Sequence, residues 1–203
     1  MKRDRVLADV ELHYLLRALD HEKSLFGPLI RLLLLTGQRR GEVAGMLWSE
    51  LQDFNGDCPL WEIPGHRNKN KHAHLVPVSP TVCRLLSDLP HVGDLVFTTT
   101  GDTPMSGFGK VKARLDARID TLRNIDSLQP MAPWTLHDLR RTMVTVMNEK
   151  LGISPHVVEA VVNHMSGQAK AGVAGVYNRA LYLKDRRQAL RSWQDWIARL
   201  SYT

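Results

Sequence analysis

Along most of this chain apolar residues recur at helical spacing, and one short central region alternates instead. Leu12, Leu15, Leu16 and Leu19 form a single stripe, which predicts a first helix capped by Asp9 and running through Asp20. A second helix is predicted from about Ser24 to Thr36. Its run Leu32-Leu33-Leu34-Leu35 is apolar on every face, so it belongs in the core, and Gly37 is its natural stop. A short helix through Met46, Leu47 and Trp48 should follow Gly41-Glu42. The period then changes to two. Pro59-Leu60-Trp61-Glu62-Ile63-Pro64 and His74-Leu75-Val76-Pro77-Val78 read as strands around a polar, basic hairpin tip, Gly65 to His72. Pro64 and Pro77 predict edge positions, because proline gives no N–H to a ladder.

Helical spacing then returns. Pro80 to Leu89 predicts a short helix, Asp94 to Thr98 a brief strand, and Ser106 the cap of a helix carrying Lys110, Lys112, Arg114 and Arg118. Thr135 opens a helix running to Lys150, with Gly152 as its stop and Asp138 as the acidic partner of a capping box. Ser154-Pro155 supplies N-cap and N1 of the next, whose apolar face is Val157, Val158, Val161 and Val162. A last amphipathic helix, 183–200, has Leu190, Trp193, Ile197 and Leu200 on one stripe. The pattern predicts an α+β fold, mostly α, with a small antiparallel β-sheet. With no repeat, low-complexity segment or long linker, 1–203 reads as one domain.

Composition narrows the partners. The 203 residues suffice for a sizeable core, and Lys plus Arg outnumber acids 27 to 21, a formal charge of +6. That surplus suits a polyanion such as nucleic acid. Cys58 and Cys83 make no CxxC pair, which points to a reducing compartment. The start, Met1-Lys2-Arg3-Asp4-Arg5, lacks the apolar run of a signal peptide. The longest aliphatic block, Leu29 to Leu35, contains Arg31 and is far shorter than the ~20 residues of a span. A cytoplasmic protein without a membrane partner is expected.

Several chemistries find no support. There is no GxxxxGK[ST] loop, and Ser106-Gly107-Phe108-Gly109 serves as a helix cap. His72 and His74 read as a surface pair on a strand, with no zinc spacing around them. His66, His91 and His156 have no distinguishing context. No metal or cofactor is expected. What remains suits attack on a phosphodiester. His137 and Arg140 stand at i and i+3 on the first turn of a helix, where backbone N–H groups and the helix dipole favour an anion. Arg39 is trapped in a tight connection beside the core helix and needs a partner, internal or bound. Tyr177 follows the Gly- and Ala-rich stretch Gln168 to Gly175, and a phenol with a pKa of about 10 needs neighbouring cations to act as a nucleophile. Two guanidiniums would stabilise both the phenolate and the charge building on phosphorus. His137 and His164 can donate to phosphate or relay the proton, and Lys69 can protonate the leaving oxygen. Taken singly, each has an ordinary alternative: a packing tyrosine, a helix-end histidine, a solubilising lysine, a structural ion pair.

The order of the motifs resolves much of this. Thr36-Gly37-Gln38-Arg39-Arg40-Gly41-Glu42, Lys69 ahead of Val76-Pro77, His137-Asp138-Leu139-Arg140, Asn163-His164 and Gly175-Val176-Tyr177-Asn178-Arg179 follow one another across nearly the whole chain. In this arrangement the chain resembles the tyrosine recombinase (phage integrase) family, above all integrases of prophages and genomic islands. The resemblance implies a catalytic set of Arg39, Lys69, His137, Arg140, His164 and Tyr177, with Tyr177 the nucleophile and Arg39 and Arg140 binding phosphate. Arg40 and Lys71 stand beside two of these; the preceding Thr-Gly-Gln selects Arg39, and the distance to Val76-Pro77 selects Lys69. The implied function is site-specific recombination, integrating or excising phage or mobile-element DNA through a 3′-phosphotyrosine intermediate.

The implied partner is double-stranded DNA at attachment sites. The assembly is a tetramer on two sites, a monomer when isolated, with an accessory directionality factor. Integrases of the family carry N-terminal DNA-binding domains, whereas this chain begins almost at the catalytic domain and is read as that domain alone. The terminal helix can pack on its own chain or on a neighbouring protomer. Two rivals are a type IB topoisomerase and a DNA-binding relative without chemistry. Asn163-His164 and Gly-Val-Tyr-Asn-Arg favour the recombinase over the first, and the intact six-residue set argues against the second.

Overall fold

A computed structural model describes residues 4–68, 71–164 and 182–201. Helix α2 (Phe26–Thr36) is the core element, with Leu29, Ile30, Leu32, Leu33 and Leu34 all buried. Around it pack α1 (Asp9–Asp20), α3 (Arg40–Ala44), α4 (Pro80–Ser87), α6 (Leu136–Glu149) and α8 (Leu183–Leu200), while α5 (Phe108–Ile125) lies on α1 and α7 (Pro155–Val161) on α6 and α8. Gly37 ends α2 with φ 65, a left-handed conformation. A Cβ there would also collide with Met143 Sδ of α6, so both backbone and packing require glycine.

The end of α2 shows how these helices are fastened. Four carbonyls lack helical partners at such an end. Here Gly37 N–H donates to Leu33 at 2.9 Å, Trp193 Nε1 to Leu34 at 2.8 Å, Gln194 Nε2 to Leu35 at 3.1 Å and Gln38 Nε2 to Thr36 at 2.8 Å. Two of the donors come from α8, whose Leu190, Trp193 and Ile197 are buried within this chain.

The mostly α architecture with a small antiparallel sheet stands as expected. The sheet has three strands in the order β1 (Leu51–Gln52), β2 (Leu60–Ile63), β3 (His74–Pro77), with Trp61 opposite Val76 and Ile63 opposite His74. Several local expectations fail. Strand β1 spans two residues, too few for a period to show. The edge expectation holds for Pro77 in β3, but β2 is central and Pro64 lies one residue beyond it. Asp94 to Thr98 contributes a single bridge, Leu47 to Leu95. The helix expected through Met46 to Trp48 is instead α3, ending at Ala44, then a 3₁₀ turn, Trp48–Glu50. Helix α1 is preceded by Ala8, not capped by Asp9: the Glu11 carboxylate accepts from Ala8 N–H at 2.8 Å. Gly107, at φ 88, replaces Ser106 as the N-cap of α5, because the chain turns there through a left-handed residue. Among the described residues no helix is long and apolar enough to cross a membrane.

Candidate active site

The start of α6 is held by Asp138, which has no exposed surface. Its carboxylate accepts from Thr135 N–H at 2.7 Å and from the Thr135 hydroxyl at 2.9 Å. Only half of the expected capping box forms, because the hydroxyl donates to Asp138 and accepts nothing from the backbone. The other carboxylate oxygen takes Arg141 Nη1 at 2.5 Å. Asp138 thereby neutralises Arg141 and leaves the adjacent Arg140 to turn inward.

Arg140 is 8% exposed. Its Nη1 donates to the Gly37 carbonyl at 2.7 Å and its Nη2 to the Val162 carbonyl. Burial, then the charge of Arg39, lower its pKa to about 10 against the opposing pull of Glu42, so it stays cationic at neutral pH. Arg39 precedes α3. Glu42, buried one turn on, accepts from Arg39 N–H at 2.8 Å and from its Nη1 at 2.7 Å. Arg39 Nη2 reaches the Asn163 carbonyl at 3.3 Å. The partner demanded by a guanidinium in that tight connection is therefore Glu42 together with a helix end.

That helix end is the hub of the site. Four consecutive carbonyls at the end of α7 and just beyond it receive side-chain donors: Ala160 from Arg186 Nη1 at 3.5 Å, Val161 from Gln38 Nε2 at 3.0 Å and His74 Nε2 at 3.1 Å, Val162 from Arg140, and Asn163 from Arg39. A helix C-terminus carries partial negative charge, which offsets part of the cost of gathering cations there. Burial lowers Arg186 to about 10 as well. The cations nevertheless outnumber Glu42, and Arg140 has no carboxylate within ion-pair distance among the described residues. An incoming anion would relieve the repulsion between Arg39 and Arg140, and a phosphate presents oxygens to both.

The two histidines flank this hub. His137 lies one turn before Arg140 and reaches solvent; surrounding protein, then the charges of Arg140 and Arg141, lower its pKa. At neutral pH it is an uncharged donor and acceptor. His164 directly follows Asn163, whose positive φ of 49 turns the chain out of α7. Its ring is exposed, with Nδ1 3.9 Å from Glu159 Oε1. Arg39, His137, Arg140 and His164 are thus gathered around two helix termini. Lys69 and Tyr177 lie outside the described residues, and so does the stretch from Gln168 to Gly175.

Sequence reasoning missed Gln38, Glu42 and Arg186, and it misplaced His74. His74 is buried, at 5% exposure, and is no surface residue. Strand phase carried the signal, since His74 shares its parity with buried Val76 and Val78. Burial, then the charge of Arg186, push its pKa down to about 3.

The Phage integrase family model matches residues 5–180. Prophage integrase IntZ of Escherichia coli (strain K12) is 29% identical over 168 residues, which cover 83% of this chain and 38% of that protein. Among solved structures, XerH site-specific recombinase bound to difH substrate superposes with a TM-score of 0.56 at 19% identity, covering 89% of this chain and 51% of that one. A lambda integrase tetramer bound to a Holliday junction gives 0.56 at 17% identity, covering 85% and 50%. The chain therefore spans less than two-fifths of the length of IntZ and about half of each structural neighbour. A family match over most of the chain, on a fold shared with known recombinases, leads to one conclusion: the chain belongs to the phage integrase family.

Proposed function

We propose that residues 1–203 act as the catalytic domain of a site-specific DNA recombinase that integrates or excises phage or mobile-element DNA in the cytoplasm. Tyr177 Oη attacks a DNA phosphorus held by Arg39 and Arg140. The bond from phosphorus to the 5′ oxygen breaks, and Lys69 gives that oxygen its proton, leaving a 3′-phosphotyrosine and a free 5′-hydroxyl. His137 and His164 donate to the phosphoryl oxygens or take the tyrosine proton. The phosphodiester survives as a tyrosine ester, so a 5′-hydroxyl from a second duplex reseals the strand without ATP. The related lambda integrase is seen as a tetramer on a Holliday junction, and we extend that assembly on two double-stranded DNA sites to this chain.

The observation that carries this reading is the pair of guanidiniums converging on adjacent carbonyls at the end of α7, from positions more than a hundred residues apart. Such a pair, with less carboxylate than cation around it, suits the doubly charged transition state of phosphoryl transfer. The test uses a nicked duplex bearing the element's own junction sequence, mixed with the full-length protein in metal-free buffer and run on a denaturing gel. A covalent protein–DNA adduct is expected from the parent and none from Tyr177→Phe. Absence of a Tyr177-dependent adduct from the full-length protein would overturn the reading.

A further inference from the structure

One buried polar side chain beside the site has no part in that chemistry. His74 sits on β3 at the last paired position before the hairpin tip, opposite Ile63. Its Nε2 lies 3.1 Å from the Val161 carbonyl oxygen. A carbonyl can only accept, so Nε2 carries the hydrogen. Gln38 Nε2 reaches the same oxygen at 3.0 Å while also donating to Thr36 at 2.8 Å, and Gln38 is the residue before Arg39. One carbonyl thus ties together the hairpin strand, the connection that carries Arg39, and α7.

We propose that His74 is a positioning residue: by donating Nε2–H to the Val161 carbonyl it sets the end of α7 against which Arg39 and Arg140 are aligned. The inference rests on the recombinase reading above. Helix α7 has only seven residues, so its last carbonyls gain little order from its own ladder and depend on side-chain donors. The two carbonyls after Val161 are those that hold Arg140 and Arg39. A shift of this end therefore moves both guanidiniums and also His164. Neutral imidazole suits the place. Arg186, Arg140 and Arg39 all act against a charge on His74, so it can donate without adding a fourth cation.

A purely space-filling His74 and a positioning one differ in what substitution does. His74→Leu keeps comparable volume and leaves the Val161 carbonyl its bond from Gln38, so the variant should fold. His74→Gln restores an amide N–H close to where Nε2 stood. In the full-length protein, His74→Leu is expected to cleave the nicked duplex roughly tenfold or more slowly at saturating DNA, since small misplacements of catalytic groups cost about that or more. The DNA concentration at half-saturation should stay unchanged, and His74→Gln should recover most of the rate. Amide hydrogen exchange over 158–164 should rise in His74→Leu and return in His74→Gln.

An unchanged cleavage rate in a folded His74→Leu protein overturns the proposal. So does a His74→Gln protein no better than His74→Leu in both rate and exchange. If the parent itself forms no Tyr177 adduct, the recombinase reading has failed, and the exchange measurement alone decides whether His74 orders the end of α7.

Discussion

Two arginines in this molecule, Arg67 half-buried and Arg140 buried, are satisfied in opposite ways. Arg67, in the 3₁₀ turn leading into the hairpin tip, lies with Nε 2.8 Å from Glu50 Oε1 and Nη2 2.9 Å from Glu50 Oε2. Nη1 donates to the Gly45 carbonyl and Nη2 also to that of Glu42, and Trp61 Nε1 adds a 2.9 Å bond to Glu50. The charge is matched by a carboxylate, although Nε faces Glu50 Oε1 without forming a hydrogen bond. Among the described residues Arg140 makes two bonds, both to backbone carbonyls, and its neighbour Arg39 is another cation. A guanidinium has five N–H donors, so Arg140 keeps both charge and donors in hand. Carboxylates consume a cation, whereas carbonyls orient it. The same contrast appears between adjacent residues of α6, where Asp138 takes Arg141 and leaves Arg140 to carbonyls.

The largest expected effect breaks the open member of the pair. Arg140→Ala should lower the cleavage rate by about 10²- to 10³-fold, the range for removing one preorganised donor to transition-state charge. DNA affinity should fall far less, because many phosphate contacts share it. Arg140→Lys should recover little, since an ammonium cannot bridge the Gly37 and Val162 carbonyls and still face a phosphate. Single-turnover cleavage beside a binding titration measures both; equal losses would make Arg140 an affinity residue and erase the contrast. The next effect concerns the closed member. Arg67→Met leaves Glu50, whose side chain is only 4% exposed, as a buried unpaired carboxylate, and should cost about 3–5 kcal/mol in chemical denaturation. Adding Glu50→Met should restore most of that loss. A small cost for the single change would mean that the Arg67–Glu50 pair is solvated.

How much of this was visible in the sequence follows from whether a feature is local. The all-round apolar run of α2, the Gly37 stop and the placement of His137 and Arg140 on the first turn of α6 are local patterns, and all appear. Strand β1 is too short for periodicity, and the stretch from Asp94 makes one bridge because its ladder ends at once. The hub at the end of α7 was invisible for a different reason. Its acceptors are backbone carbonyls of 160–163, which leave no mark in the residue types. Its donors come from positions 38, 39, 74, 140 and 186, brought together only by tertiary packing. His74 was the partial exception. Its strand parity with Val76 and Val78 marked the buried face, but its pairing with His72 suggested a surface role.

The smallest effect concerns the Asp138 device that frees Arg140. Thr135 has the residue type of an N-cap, yet its hydroxyl only donates to Asp138, and Asp138 alone reaches back to the Thr135 N–H. Thr135→Ala should therefore cost less than a typical cap deletion, about 0.5 kcal/mol or below. Asp138→Ala removes the bond to that N–H and the Arg141 partner together, and should cost several times more. It should also slow cleavage, because Arg141 would lose the carboxylate that keeps its charge apart from the Arg39–Arg140 pair. Denaturation midpoints for the two variants rank the contributions directly. A Thr135→Ala loss equal to that of Asp138→Ala would show that the hydroxyl, and not the carboxylate, holds the start of α6. The separation of Arg140 from Arg141 would then need another cause.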